Sequence, residues 1–137
     1  MEGCIDVDRQ GDVVVVRFQG RFDDAFEAYL ERYQQVLDAG RPYAAVFVTE
    51  PDARMPSHKI ALRKAEWMKT NRETSQRLCR GAAFILPSPL MRGFLRAVIR
   101  LQPLDIPHAV FREEDEAMAW VRGLAAPVEP VPTFEFS

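Results

Sequence analysis

The sequence predicts one α/β domain, a single layered unit in which a mixed, mainly parallel sheet of about five strands is covered by about four helices. Three observations carry that prediction. Short β-branched or continuously apolar runs recur at Val13 to Phe18, Tyr43 to Val48 and Ala82 to Leu86. Such runs lack the alternation of a half-wet strand and read as strands buried on both faces, the habit of parallel sheets. Between them apolar residues recur at helical spacing, so strands alternate with helices and the crossovers are right-handed. Finally, 137 residues, 47% hydrophobic and 28% charged, describe an ordinary globular domain. A chain of this size buries roughly 68% of its unfolded surface and needs no disulfide or metal staple.

Each element has its own local reason. Ile5 to Arg9 is the hairpin partner of the strand at Val13 to Phe18, with Gly11 and Asp12 at the turn and Gly20 closing the second strand. Asp24 with Glu27 three residues on makes a capping box, and Phe26, Tyr29, Leu30, Tyr33, Val36 and Leu37 then follow one helical stripe as far as Gly40. The run from Pro42 to Val48 is the next strand. Ser57 is placed to cap a helix from about His58 to Thr70, with Ile60, Ala61, Ala65 and Met68 at helical spacing. Gly81 opens the strand at Ala82 to Leu86. Pro87, Ser88 and Pro89 then supply a turn, an N-cap and a first-turn proline for a helix reaching about Gln102. Pro107 to Phe111 is a short last strand. The acidic run Glu113 to Glu116 suits the positive end of a helix whose inner stripe is Ala117, Trp120, Val121 and Leu124. The domain spans residues 1–126, and the proline spacing from Pro127 to Ser137 predicts an extended tail over 127–137.

Several function classes find no support in the sequence. No apolar stretch approaches the ~20 residues of a bilayer span. The start, Met1-Glu2-Gly3-Cys4-Ile5-Asp6, has neither a basic region nor an apolar core, so a cytoplasmic location is expected. Cys4 and Cys79 are far apart and read as reduced thiols. Two cysteines and two histidines without metal-ligand spacing predict no metal site. Gly20-Arg21-Phe22-Asp23-Asp24 lacks the lysine and hydroxyl of a phosphate loop, and no cofactor is expected. A serine, histidine and acid can be gathered on paper from Ser57, His108 and Glu50. Ser57 is already explained as a cap and His108 lies at the entry end of its strand, so no catalytic residue is assigned. Trp67 and Trp120 share helical stripes with other apolar residues and read as core.

The order of elements resembles the STAS superfamily, and the details resemble its SpoIIAA-like branch of small bacterial proteins. The likeness is carried by the strand ending in Gly20, the helix from Asp24, the stretch Ala65-Glu66-Trp67-Met68-Lys69, the strand Gly81-Ala82-Ala83-Phe84, and Glu116-Ala117 with Trp120 in the last helix. Anti-sigma-factor antagonists of that superfamily carry a phosphorylated serine in an Asp-Ser-Ser-Gly turn after the third strand. Here the turn reads Val48-Thr49-Glu50-Pro51-Asp52, so the phospho-switch is not carried over. The resemblance implies a non-catalytic interaction or ligand-binding domain, and the branch's likeness to lipid-carrier domains of the CRAL-TRIO type adds a ligand alternative.

Charge distribution then bears on the working surface. Between Arg54 and Arg100 there are eleven basic and two acidic side chains, while the rest of the chain holds seven basic and eighteen acidic ones, under a formal net charge of -2. Such asymmetry points to an oriented partner. Arg92, Arg96 and Arg100 are spaced by four and line one stripe of a helix whose other residues include Leu90, Met91, Phe94, Leu95, Val98, Ile99 and Leu101. The sequence therefore predicts a regulatory or interaction module that engages a protein partner or forms a homodimer through Lys59, Arg63, Arg92, Arg96 and Arg100. The alternative is a carrier of a small anionic or lipid ligand, its pocket rimmed by Thr49, Glu50, Ser57 and Ser88 at or near strand carboxyl ends. A hydrolase is the remote alternative. Nucleic acid is not expected, because no groove-reading motif is present.

Overall fold

The computed structural model describes residues 4–21, 23–54, 57–86, 88–101 and 106–125. Strands β1 (Cys4–Gln10) and β2 (Val13–Gln19) form an antiparallel hairpin with Gln10 opposite Val13. Gly11 sits at φ 65° in the two-residue turn, where a positive φ matches the twist of the flanking strands and a side chain would be strained. β2, β3 (Tyr43–Thr49), β4 (Cys79–Ile85) and β5 (His108–Phe111) follow in parallel, and the sheet order β1-β2-β3-β4-β5 repeats the chain order.

That sequential order decides where the helices go. Right-handed crossovers that always step in one direction place every connecting helix on the same face of the sheet. The connections are α1 (Phe26–Asp38), α2 (His58–Thr70), α3 (Arg72–Leu78) and α4 (Pro89–Leu101). The helix after the last strand, α5 (Glu114–Ala125), is no crossover and covers the opposite face. A register shift between Tyr43 and Ala45 on the β3–β4 ladder turns Cys79 and Ala82 toward the crossover helices.

The fold is the α/β layered sheet expected, with two local differences. The described residues hold five helices because the segment before β4 folds as α3, separated from α2 at Asn71, whose amide donates to the Trp67 carbonyl at 3.0 Å. The sequence hides α3 because Glu73, Thr74, Ser75, Gln76 and Arg77 show no apolar period. The capping box at Asp24 and Glu27 does not form. A 3-10 turn over Asp23–Ala25 precedes α1, Ala25 is the N-cap without a side-chain bond, and Glu27 binds Arg63 instead. The other two caps form as read: Ser57 accepts from the Ile60 amide at 3.3 Å and Ser88 from the Met91 amide at 3.1 Å. Pro87, Gln102 and the 127–137 tail lie outside the described residues. No helix among the described residues is long and apolar enough to cross a membrane.

Candidate functional site

On the α5 face the sheet offers small residues. Val13, Val15, Ala44, Val46, Ala83 and Ile85 pack against Ala117 and Val121. The crossover face offers rings. Phe18 from β2, Phe47 from β3 and Phe84 from β4 meet Phe26, Tyr29 and Tyr33 of α1 and Trp67 of α2. Phe47 stacks on Phe84 at 5.2 Å between centroids, Tyr33 stands edge-on to Trp67 at 5.5 Å, and the Tyr33 and Tyr43 hydroxyls hydrogen-bond at 2.9 Å. Rings held edge-to-face have few rotamers in which to collapse, so they act as spacers.

Above them α4 is poorly seated. Met91 and Val98 are its only buried residues, while Phe94, Leu95 and Ile99 are half-buried. Between α4, α2, α1 and the sheet lies a cavity of about 160 Å³. Phe94, Leu95, Val98 and Ile99 roof it, Phe47, Ala82 and Phe84 lie under it, and Ile60, Trp67 and Met68 wall it.

Among the described residues, Lys64 is the only charged one in the lining. Its ammonium donates to the Tyr29 hydroxyl at 3.0 Å and stands 5.1 Å from the Tyr29 ring centre, 5.3 Å from that of Phe47 and 5.9 Å from that of Phe18. Thr49 ends β3 on the same face, two residues beyond Phe47, and is 8% exposed. Cys79 also lines the cavity. Its thiol donates to the Gly81 carbonyl at 3.3 Å, and burial pushes its pKa up, which keeps it protonated and a poor nucleophile. Burial likewise raises the pKa of Tyr33 and of Tyr43, so both phenols remain neutral hydrogen-bonding groups.

The structure distributes the residues singled out from the sequence as follows. Thr49 lines the cavity. Glu50 points to the α5 side, where Arg17 binds it at 3.3 Å and Glu114 of α5 at 3.0 Å. The Arg17 pKa is raised, chiefly by its hydrogen bond to Glu114. Ser57 and Ser88 are helix caps outside the lining. Arg63 is held by Glu27 at 2.9 Å and Glu66 at 3.2 Å, clasping α1 to α2. Arg92 donates to the Leu86 carbonyl at 3.2 Å. Lys59, Arg96 and Arg100 are exposed, and so are Leu90 and Leu101 at 68% and 60%. His108 has its ring Nδ1 3.0 Å from the Ile106 carbonyl. Ser57, His108 and Glu50 thus have separate local partners, and no hydrogen bond joins them among the described residues. Nor does any group of three His, Cys, Asp or Glu side chains among them fit a metal ion.

The residue that sequence reasoning missed is Lys64. It had a local signal, for Ile60, Lys64, Trp67 and Met68 share one helical stripe, which places a lysine where an apolar residue belongs.

No family model matches the chain. No curated protein matches it either. Among solved structures, an uncharacterized protein from the DUF3478 family of Shewanella loihica, with a SpoIIAA-like fold, superposes at a TM-score of 0.61 and 14% identity, over 85% of this chain and 91% of its own. An anti-sigma factor antagonist from Mycobacterium paratuberculosis superposes at 0.49 and 18% identity, over 86% of this chain and 92% of its own. The likeness to the Shewanella protein shows the fold: the chain adopts the SpoIIAA-like architecture that the sequence resemblance implied.

Proposed function

We propose that this SpoIIAA-like domain is a non-catalytic binding protein that holds a small molecule with an apolar body in the cavity beneath α4. The observation that carries the reading is the ring-lined space of about 160 Å³ between α4, α2, α1 and the sheet. Interiors are close-packed, and voids of this size are few. An apolar cavity of about 150 Å³ stays dry and admits benzene, which sets the size class of the ligand. The described lining has no histidine, aspartate or glutamate to serve as a general base, and its thiol is held protonated.

The test is the native mass of the chain purified gently from its own cells, beside the variant Val98→Phe. Val98 faces the cavity, and a ring there fills it. The expected result is a retained mass of roughly one to two hundred daltons on the wild type, absent from a Val98→Phe variant that melts no lower. A bare wild-type chain that also takes up no small aromatic compound contradicts the reading.

A second role on the outer side of the same helix is supported by a separate observation. Leu90 and Leu101 are largely exposed on α4, and Arg96 and Arg100 lie between and beside them. A basic, half-apolar helix face suits a protein partner or a second copy, whose acid-rich remainder supplies the opposite charge. Reversing Arg96 and Arg100 to glutamate is expected to abolish a complex that high salt also weakens. A monomer indifferent to salt and to both substitutions rules this role out.

A further inference from the structure

We infer that Lys64 is the head-group anchor of the cavity and that its ligand is a small monocarboxylate with an aromatic or short-chain body, an assignment that rests on the ligand-binding reading above.

Lys64 is only partly supplied with partners. One of its three donors goes to the Tyr29 hydroxyl, and the rest of the ammonium faces the Phe18, Tyr29 and Phe47 rings. No carboxylate lies within ion-pair distance of it among the described residues, although Arg17 and Arg63 each hold two. Glu27 of α1 and Glu66 of α2 are both taken by Arg63, the neighbour of Lys64 on α2. The ring quadrupoles partly balance the ammonium and fix its position, but they leave donors open toward the cavity. An ammonium half removed from water and short of acceptors is completed by an anion brought in by the ligand, in surroundings where the attraction is screened far less than in water.

The same inventory sets the charge of that anion. Among the described residues one cation, Lys64, lines the cavity, beside the hydroxyls of Tyr29, Tyr33, Thr49 and Ser75. A carboxylate is matched by one ammonium and one or two neutral donors. A phosphate near a double charge is not, because it calls for more than one cation or an array of donors. The body follows from the volume and the walls: about one aromatic ring with a short linker fills a cavity of this size.

Calorimetric titration of the full chain with hydrocinnamate, hydrocinnamyl alcohol and phenyl phosphate tests the assignment. The carboxylate and the alcohol share a body and differ in charge. Wild type is expected to bind hydrocinnamate at least about tenfold more tightly than the alcohol, as one charge-assisted hydrogen bond supplies. Lys64→Met is expected to erase that preference while still binding the alcohol, and Lys64→Arg to restore part of it. Equal binding of acid and alcohol by wild type, or a preference that survives in Lys64→Met, overturns the anchor while leaving the cavity reading intact. Tighter binding of phenyl phosphate than of hydrocinnamate overturns the monocarboxylate assignment. Failure of all three probes on wild type overturns this inference, and the native mass then decides whether the cavity reading falls with it. The acid-to-alcohol ratio is measured on wild type, so the result stands even if Lys64→Met does not fold.

Discussion

Neighbouring residues of β3 and β4 point to opposite faces of the sheet and meet opposite surroundings. Val46 and Ala83 are fully buried against α5, whereas Phe47 and Ala82, one residue away on each strand, line a cavity. Side chains of one to four carbons let α5 approach the sheet closely; a Cβ added at Gly81 would collide with Leu124 of that helix. On the other face, phenyl and indole rings hold α2 and α4 off the strands. The contrast teaches that filling and hollowness are both written in side-chain size, and that the fold separates them: one face is built for cohesion and the other for an occupant.

The largest effect is expected on the filled face. Ala117→Leu forces new methyl groups between α5 and the sheet and should cost about 2 to 3 kcal/mol in urea unfolding, whereas Val98→Phe on the hollow face should cost nothing. If Ala117→Leu is neutral, the filled face is not close-packed.

The next effect belongs to the Tyr33–Tyr43 pair that braces the ring wall. Tyr43→Phe should cost about 1 kcal/mol near pH 7, because the Tyr33 hydroxyl loses its buried partner. The same pair sets the alkaline limit. Burial raises both phenol pKa values, so their stabilisation is complete below the unfolded value near 10. Above it the unfolded chain releases protons that the folded chain keeps, and stability falls by up to about 1.4 kcal/mol per pH unit per phenol. Cys79, also raised by burial, begins the decline from about pH 8.5. Tyr43→Phe should flatten this slope in melts recorded from pH 8 to 11. An unchanged slope would place the titrating groups elsewhere.

The smallest effect is expected at Arg17, which ties β2 to Glu50 and to Glu114 of α5. The three side chains are 28%, 32% and 43% exposed, so solvent screens the pair interactions. Arg17→Met should cost less than about 1 kcal/mol, and less still in high salt. A larger loss would mean that charge, rather than side-chain fit, seats α5.

Local features were legible in the sequence because their causes are local. The apolar runs gave the strands, Ser57 and Ser88 marked two helix starts, and the alternation of elements gave the layered sheet and its parallel core. What escaped depends on distant partners. Glu27 looked like half of a capping box until α2 brought Arg63 to it, and α3 is held by its place between Asn71 and β4 with no apolar stripe of its own. The cavity was illegible for the same reason, since a volume exists only between elements from distant parts of the chain. Of the site, Thr49 was singled out by its position at a strand end. Lys64 was passed over as one member of a basic stretch, although its place on an apolar stripe set it apart.

The most direct test of the central claim, that one face is filled and the other hollow, is the unfolding free energy of Ala82→Leu beside that of Ala83→Leu. The two alanines are adjacent on β4 and almost fully buried, at 2% and 0% exposure, and they differ in the face they meet. The account predicts a loss of about 3 kcal/mol for Ala83→Leu and no loss, or a gain, for Ala82→Leu, whose added methyl groups enter the cavity. Equal losses would contradict it, for they would mean that the crossover face has no space to give.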